Sequence, residues 1–132
     1  RQQVMRWLGG KGLNVSGIML DNGSGLSRDE RISADALGQL LRAAWQSPVM
    51  PELMASLPIL GVDGTLKKRM NGSAQSGRGH LKTGYLEGVR ALAGYVLDSQ
   101  NRRWILVFLI NDAKSMAGKP AMDAMLRWIA AQ

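Results

Sequence analysis

The stretch GHLKTGYLEGVRALAGYVLDSQNRRWILVFLI, residues 79–110, decides the fold of this chain. It contains two apolar runs, Arg90–Leu97 and Arg103–Ile110, joined by the four residues Asp98-Ser99-Gln100-Asn101. Turn-forming residues between two apolar runs at this spacing predict a β-hairpin. Ahead of the runs, Gly79 is a turn residue that leads into a shorter extended segment carrying Lys82-Thr83-Gly84. We therefore predict three consecutive antiparallel strands.

Helical patterns surround these strands. Ser33 is a predicted N-cap, because apolar residues recur after it at helical spacing until Pro48. Before it, a helix is expected over Gln2–Leu8 and an extended run over Val15–Leu20. After it, short helices are expected over Glu52–Leu57 and from the cap Asp63 through Leu66 and Met70. A last helix should follow Pro120, with one apolar face formed by Met122, Met125, Leu126 and Ile129. The predicted fold class is α+β, an antiparallel sheet flanked by helices, with the last helix packed across the hairpin. With no internal repeat, residues 1–132 are expected to form a single unit.

Two features lead us to expect an internal or C-terminal piece of a longer protein. The chain begins at Arg1, without an initiator methionine, and its first residues already resemble the end of a helix. A sheet of three strands also leaves an edge that a complete domain would pair or cover. We therefore expect that the N-terminal part of the same domain is a partner of this chain. A dimer formed through the exposed edge is a second possibility.

Composition limits the classes of function. The chain has 132 residues, of which 45% are hydrophobic and 20% charged, as in ordinary globular proteins. Its longest apolar run, Trp104–Ile110, is far shorter than the roughly 20 residues of a transmembrane helix, so no membrane span is expected. Without cysteine there is no disulfide and no thiol nucleophile. The tryptophans are expected to lie mostly in the core.

The net charge of +7 raises the possibility of a nucleic-acid-binding protein. The basic residues are scattered, however, and only Lys67-Lys68-Arg69 forms a run. No aromatic residues alternate with this run to stack on bases. We interpret it as a solvated helix face and expect no nucleic-acid partner, so a nucleic-acid-binding module is the weakest of the alternative functions.

Two segments carry residues suited to catalysis or binding. A lysine and a hydroxyl at the tip of a strand, Lys82 and Thr83, can hold a substrate carboxylate and supply protons. The block Asp21-Asn22-Gly23-Ser24-Gly25-Leu26-Ser27-Arg28 places two serines in a glycine-rich turn ahead of a helix. Such serines can relay protons or bind an anion near a helix N-terminus. The alternative is a tight turn whose serines bond only their own backbone.

Several blocks occur in one order: DNGSGLSR at residues 21–28, PILGVDGT at 58–65, HLKTG at 80–84 and VRALAGY at 89–95. This arrangement resembles the C-terminal half of the penicillin-binding, β-lactamase/transpeptidase-like domain of low-molecular-mass class C penicillin-binding proteins. These are the peptidase S13 D-alanyl-D-alanine carboxypeptidases/endopeptidases of the penicillin-binding protein 4 type. The resemblance implies a serine-type peptidase of the periplasm that acts on peptidoglycan peptides and binds β-lactams, without a cofactor.

The resemblance also implies roles for individual residues. Lys82, Thr83 and Gly84 match the Lys-Thr-Gly motif, which binds the terminal carboxylate of the substrate. The backbone N–H of residue 85 would contribute to the oxyanion hole, although Tyr85 is bulkier than the small hydroxyl residue usual there and is expected to narrow the site. Ser27 matches the serine that relays protons, with Ser24 as the alternative.

The chain departs from the family pattern at two places. The asparagine expected two residues after the relay serine is replaced by Asp29, which is followed by Glu30. More importantly, no serine is followed three residues later by lysine, the spacing that places nucleophile and base on adjacent helical turns. Ser99 comes nearest, with Arg102, but arginine holds its proton too tightly to act as a base. We therefore predict that the isolated chain is not acylated by penicillin.

Other chemistries lack the residues they need. His80 is the only histidine, so neither a Ser-His-Asp triad nor a histidine-based metal site can form within the chain, and we expect it to be a partly exposed residue at a strand start. A non-catalytic module that keeps the carboxylate-binding residues is the leading alternative to the enzyme.

Overall fold

The computed structural model describes all 132 residues, and they form two compact units, residues 1–47 and residues 48–132. The expectation of one unit over the whole chain remains a prediction, and each unit is described separately below. No helix is both long enough and apolar enough to span a lipid bilayer.

The first unit contains helix α1, Gln2–Gly10, and helix α2, Ala34–Trp45. The predicted cap of α2 is confirmed, because the Ser33 hydroxyl accepts a hydrogen bond from the Ala36 N–H at 3.0 Å. The core of this unit is small and consists of Leu8, Leu13, Ile18 and Ala36. The expected extended run Val15–Leu20 is reduced to a single antiparallel bridge between Met19 and Arg31.

The second unit has the predicted antiparallel sheet. Its strands are β1, Gly79–Leu86, β2, Val89–Leu97, and β3, Arg103–Asn111, in the spatial order β1-β2-β3. Helix α3 covers Met50–Ser56, helix α4 covers Lys119–Ala130, and short 3-10 helices occupy Gly64–Leu66 and Ser115–Gly118. The fold class is α+β, as the sequence predicted.

The link Asp98–Asn101 forms the predicted hairpin turn because a buried carboxylate organises it. The Asp98 side chain accepts hydrogen bonds from the backbone N–H groups of Gln100 and Arg102, from Arg102 Nε and from Trp104 Nε1 at 2.7–2.9 Å. Burial alone would raise the pKa of this carboxyl, but these hydrogen bonds outweigh it and lower the pKa to about 2. Asp98 therefore stays ionised and fixes the register of β2 and β3.

Strand alternation sends two sets of side chains to the two faces of the sheet. The face that packs against α4 carries the main core, made up of Leu81, Leu92, Val96 and Leu106 from the strands, Met122, Leu126 and Ile129 from α4, and Leu60 and Leu66 from the segment before β1. On the opposite face lie His80, Lys82 and Gly84 of β1.

Three details differ from the sequence predictions. The predicted cap Asp63 does not cap a helix with its side chain, which instead accepts from the Ile59 N–H at 2.6 Å, and only the 3-10 turn Gly64–Leu66 follows it. On α4, Met122, Leu126 and Ile129 are buried as predicted, whereas Met125 is 37% exposed. The tryptophans are less buried than expected, since Trp7, Trp45 and Trp128 are each about half exposed.

Candidate active-site wall

The residues Lys82–Tyr85 lie in the middle of β1, an edge strand of the sheet. The first half of that edge is covered, because the Leu81 N–H donates to the Pro58 carbonyl at 2.9 Å and the Leu60 N–H donates to the Gly79 carbonyl at 2.8 Å. The segment Pro58–Leu60 thus shields the edge up to Leu81. Beyond Leu81 the edge is unpaired.

The direction of the free backbone groups follows from this pairing. In an antiparallel strand, the N–H and C=O groups of alternate residues point to the same side. Because Gly79 and Leu81 point outward to Pro58–Leu60, the next residues that point outward are Thr83 and Tyr85. Neither N–H has a backbone partner in the structure. The strand therefore presents two free donors, spaced to contact an extended ligand.

Lys82 and Thr83 contribute the polar side chains of this edge. Lys82 is exposed, and its ammonium group donates to the Thr83 carbonyl at 2.8 Å. This bond holds the charge at the free edge. The Thr83 hydroxyl donates to the Thr65 hydroxyl at 3.0 Å. The lysine and the threonine thus belong to an accessible rim and not to the packed interior.

Gly84 is required by close packing between β1 and β2. A Cβ atom added at Gly84 would lie 3.0 Å from the Ala91 Cβ, which is closer than side chains normally pack. Glycine therefore keeps the strand close to its neighbour directly beside the two free donors.

The ring of Tyr85 lies on the face opposite Lys82. It is 61% exposed and packs beneath the Arg90 guanidinium, whose carbon is 4.8 Å from the ring centroid. The N–H of Tyr85 stays at the edge while the ring turns towards Arg90, so the ring does not reach the Lys82 side of the strand. The ring lies on the same face of β1 as the Thr83 side chain, and the expectation that it narrows the substrate site stays a prediction.

The two serines of residues 21–28 belong to the first compact unit. The Ser24 hydroxyl accepts from the Leu26 N–H at 3.2 Å, and the Ser27 hydroxyl accepts from the Asp29 N–H at 3.1 Å. Gly23 and Gly25 have φ angles of 72° and 73°, which the tight turn requires. Both hydroxyls therefore support their own turn, as in the alternative weighed from the sequence, and each keeps its proton free to donate.

The predicted closeness of these serines to a helix start is wrong. Helix α2 begins at Ala34 and is capped by Ser33, several residues beyond Ser27. Between Ser27 and this helix, Arg31 forms an antiparallel bridge with Met19. The serines accordingly lack the hydrogen bonds that a helix N-terminus would provide.

The structure brings together residues that the sequence analysis had not connected. Thr83, Gly84 and Tyr85 line a cleft of about 230 Å³, and its other lining residues include Thr65, Lys68, Arg69, Arg90 and Lys119. Lys82 is on the other face and does not line this cleft. The strand register, which pairs Tyr85 with Arg90, could have indicated the contribution of Arg90.

The interpretation of Lys67-Lys68-Arg69 as a solvated helix face is wrong for Arg69. Its side chain is only 10% exposed, and its Nε donates to Asp123 Oδ1 at 2.6 Å. The run lies in turns after the 3-10 helix Gly64–Leu66.

His80 is half-buried at the start of β1, with Nδ1 3.2 Å from the Met54 carbonyl. No cluster of three or more histidine, cysteine or acidic side chains is arranged to hold a metal ion.

An edge strand with a Lys-Thr-Gly motif, a free N–H directly after it and a helix packed behind the sheet defines the penicillin-binding type of fold. The chain belongs to the D-Ala-D-Ala carboxypeptidase 3 (S13) family, whose model matches residues 1–132. The resemblance noted from the sequence is thus confirmed.

Individual relatives agree with this assignment. The chain is 44% identical over 94 residues to a D-alanyl-D-alanine carboxypeptidase of Actinomadura sp. (strain R39), an alignment that covers 67% of the chain and 18% of that relative. It is 38% identical over 129 residues to carboxypeptidase DacB of Mycolicibacterium smegmatis, covering 92% of the chain and 28% of the relative. The chain therefore spans about a fifth to a quarter of the length of these relatives.

Solved structures share the fold. Penicillin-binding protein 4 (dacB) from Haemophilus influenzae superimposes with a TM-score of 0.76 at 29% identity, covering 83% of this chain and 25% of that one. The same protein complexed with a β-lactam matches with the same TM-score.

Proposed function

We propose that this chain is the C-terminal part of a serine-type D-Ala-D-Ala carboxypeptidase/endopeptidase and forms one wall of its active site. The longer protein would cleave peptidoglycan peptides through an acyl-enzyme in the periplasm, and it would bind β-lactams covalently. The observation that carries the proposal is the unpaired edge of β1, where the Lys82 ammonium, the Thr83 hydroxyl and the Tyr85 N–H are accessible together.

Lys82 and Thr83 would bind the terminal carboxylate of the substrate. The ammonium now donates to a neutral carbonyl at 2.8 Å, and a carboxylate is a stronger acceptor for it. The Thr83 hydroxyl would give up its hydrogen bond to the Thr65 hydroxyl and donate to the same carboxylate. Because these groups replace one hydrogen bond by another, binding requires little rearrangement of the strand.

The free N–H of Tyr85 would polarise the scissile carbonyl. An oxyanion hole needs donors that are aimed before the reaction begins and that have no competing acceptor. The paired segment before Leu81 and the glycine at position 84 hold the Tyr85 amide in such a position. Extended substrate would add along the same edge through main-chain hydrogen bonds.

Ser27 would relay a proton between the nucleophile and the leaving amine, with Ser24 as the alternative. Each hydroxyl accepts one backbone N–H, which orients the oxygen and leaves its proton available. Replacing Ser24 and Ser27 separately by alanine in the longer protein identifies the relay. The variant that loses acylation by a peptide substrate while it still binds that substrate carries the role.

The nucleophile would come from sequence outside these residues. No serine here has lysine at the third following position, so the isolated chain has no base-activated serine. We expect no covalent adduct when the chain is incubated with a fluorescent penicillin and its intact mass is measured. A stoichiometric mass increase would contradict the proposal.

The same missing nucleophile favours a second function, a non-catalytic module that binds D-amino-acid termini. The two functions differ in the longer protein, since only the enzyme carries Ser-x-x-Lys and becomes acylated. A longer protein that binds a D-Ala-D-Ala peptide without forming an acyl-enzyme would establish the binding module.

The decisive experiment measures the acylation rate of the longer protein by penicillin. Lys82→Ala removes a charge-assisted hydrogen bond to the carboxylate and should lower the second-order rate constant about tenfold or more. Lys114→Ala is the control, because Lys114 is exposed and its side chain has no hydrogen bond in the structure. Equal rate constants for both variants would refute the role of Lys82.

A further inference from the structure

The hydroxyl of Thr83 is paired with a hydroxyl from another segment of the chain. Its partner is Thr65, 18 residues earlier in the 3-10 helix Gly64–Leu66, at an oxygen–oxygen distance of 3.0 Å. A threonine hydroxyl has one proton and can accept as well as donate. A bonded pair of hydroxyls therefore uses one of its two protons and keeps the other for a further partner. In the structure Thr83 donates to Thr65, so the unused proton belongs to Thr65.

Thr65 is held in place by the residues on either side of it. Leu66 is fully buried in the main core, and its carbonyl accepts from the Gly61 N–H at 3.1 Å. On the other side, the Asp63 carboxylate accepts from the Ile59 N–H at 2.6 Å, and the Asp63 carbonyl accepts from the Leu66 N–H at 3.2 Å. Because threonine is β-branched, its hydroxyl has few positions on such a fixed backbone. The Thr65 oxygen is thus well placed although the residue is exposed.

The segment that carries Thr65 is also bonded directly to β1. The Pro58 carbonyl accepts from the Leu81 N–H at 2.9 Å, two residues before Thr83. Gly64 packs against the same proline, since a Cβ atom added at Gly64 would lie 3.1 Å from the ring carbons Cβ and Cγ of Pro58. The turn is therefore packed onto the strand just ahead of Thr83, which keeps the two hydroxyls together.

We propose that Thr65 is a positioning residue, which turns the Thr83 proton towards the bound carboxylate. When Thr83 donates to that carboxylate, Thr65 reverses its role and donates to the Thr83 oxygen. Thr65 has no other side-chain hydrogen bond in the structure, so the reversal costs it no partner. The inference rests on the proposed function, because it takes from it the carboxylate at Thr83. In this role Thr65 acts through Thr83 alone.

The reversal strengthens the hydrogen bond from Thr83 to the carboxylate in two ways. A hydroxyl that accepts one hydrogen bond is a better donor in the next, because bonds in a chain polarise one another. The accepted bond also restricts the rotation of the Thr83 hydroxyl, so that less freedom is lost when the ligand binds. Both effects need a hydroxyl at position 65, and neither needs its methyl group.

The test is the second-order rate constant for acylation of the longer protein by penicillin. Thr65→Val keeps the branched shape without the hydroxyl, and it should lower the rate constant roughly threefold to tenfold, the effect of one neutral hydrogen bond. Thr65→Ser keeps the hydroxyl and should stay within about twofold of the original rate constant. A loss in Thr65→Ser as large as that in Thr65→Val would refute the role of the hydroxyl.

Ser56→Ala is the control for the loss of a surface hydroxyl. Ser56 is exposed like Thr65, and its hydroxyl donates to the Leu53 carbonyl at 2.7 Å within α3. This variant should be acylated at the original rate. An equal loss in Ser56→Ala and Thr65→Val would show a general effect on the fold and would overturn the proposal.

A double-mutant cycle separates positioning from a structural role. If Thr65 acts through Thr83, Thr65→Val should not change the acylation rate further in a protein that already carries Thr83→Val. If Thr65 has only a structural role, Thr65→Val should lower the rate by the same factor with and without Thr83→Val. That second result would refute the proposal.

The same rate constants distinguish a failure of this inference from a failure of the proposed function. If the original longer protein is not acylated, the proposed function is contradicted and the role of Thr65 falls with it. If acylation is slowed by Thr83→Val but not by Thr65→Val, the carboxylate contact of Thr83 stands and the role of Thr65 alone is refuted.

Discussion

Replacing Gly94 by alanine should disrupt the pairing that positions Lys82. Gly94 lies opposite Leu81 in the β1–β2 ladder and has a φ angle of 146°. An alanine Cβ there would overlap the His80 carbonyl oxygen and lie 2.9 Å from the Leu81 Cα. Both of these atoms belong to the backbone, so the clash cannot be relieved by turning a side chain. The strand itself must move, directly before the Lys-Thr-Gly motif.

Two costs add in this variant. Holding a non-glycine residue at such a φ angle costs about 1–3 kcal/mol. Forcing an extra carbon into a packed site costs typically another 1–3 kcal/mol. The sum of about 4 kcal/mol should lower the melting temperature by roughly 15 °C for a chain of this size.

Gly88→Ala is the matched control for this variant. Gly88 also has a positive φ, 78°, but its added Cβ would have only the Asp112 carbonyl near it, at 3.9 Å. Only the conformational cost remains, about 1–2 kcal/mol. Thermal unfolding of both variants, followed by far-ultraviolet circular dichroism, measures the difference. Equal destabilisation would refute the close approach of β1 to β2 at Leu81 and the register derived from it.

Two further predictions concern the core and the hairpin turn. Leu126→Ala should destabilise the chain by roughly 3–5 kcal/mol in urea denaturation, because Leu126 is fully buried. Met125→Ala, at a position that is 37% exposed, should cost less than about 1 kcal/mol. Similar losses of stability in the two variants would contradict the orientation of α4. The folded-state pKa of Asp98, about 2, is below its ordinary value of 3.8, so its ionisation stabilises the fold above about pH 4 and this contribution is lost as the pH falls towards 2. Asp98→Asn should therefore lower the free energy of unfolding at neutral pH and make that free energy fall less steeply between pH 4 and 2. If the unfolding midpoint of the variant depended on pH in the same way as that of the original chain, the role of the buried carboxylate would be contradicted.

The sheet could be predicted from the sequence because its signals are local. The apolar runs before and after Asp98–Asn101 define the hairpin, and the same aspartate that marks the turn also forms its hydrogen bonds. The cap of α2 is equally local, since Ser33 bonds to the Ala36 N–H three residues later. In these cases sequence neighbours are also spatial partners.

The missed features depend on distant partners. Arg69 looked like part of an exposed basic run, but Asp123, 54 residues away, anchors it beside the cleft. Asp63 looked like a helix cap, yet its carboxylate satisfies the Ile59 N–H of the turn that precedes β1. The direction of the Tyr85 ring needed the strand register, which pairs it with Arg90. Such contacts leave no periodic pattern in the sequence.

The central claim is that the free edge of β1 binds the carboxylate of a D-amino-acid terminus. A crystal structure of the longer protein after reaction with penicillin tests this most directly. We predict that the bound ligand places its carboxylate within hydrogen-bond distance of Lys82 Nζ and Thr83 Oγ1, with its ester carbonyl oxygen accepting from the Tyr85 N–H. An acylated ligand whose carboxylate lies elsewhere, with the N–H groups of Thr83 and Tyr85 unengaged, would contradict the account.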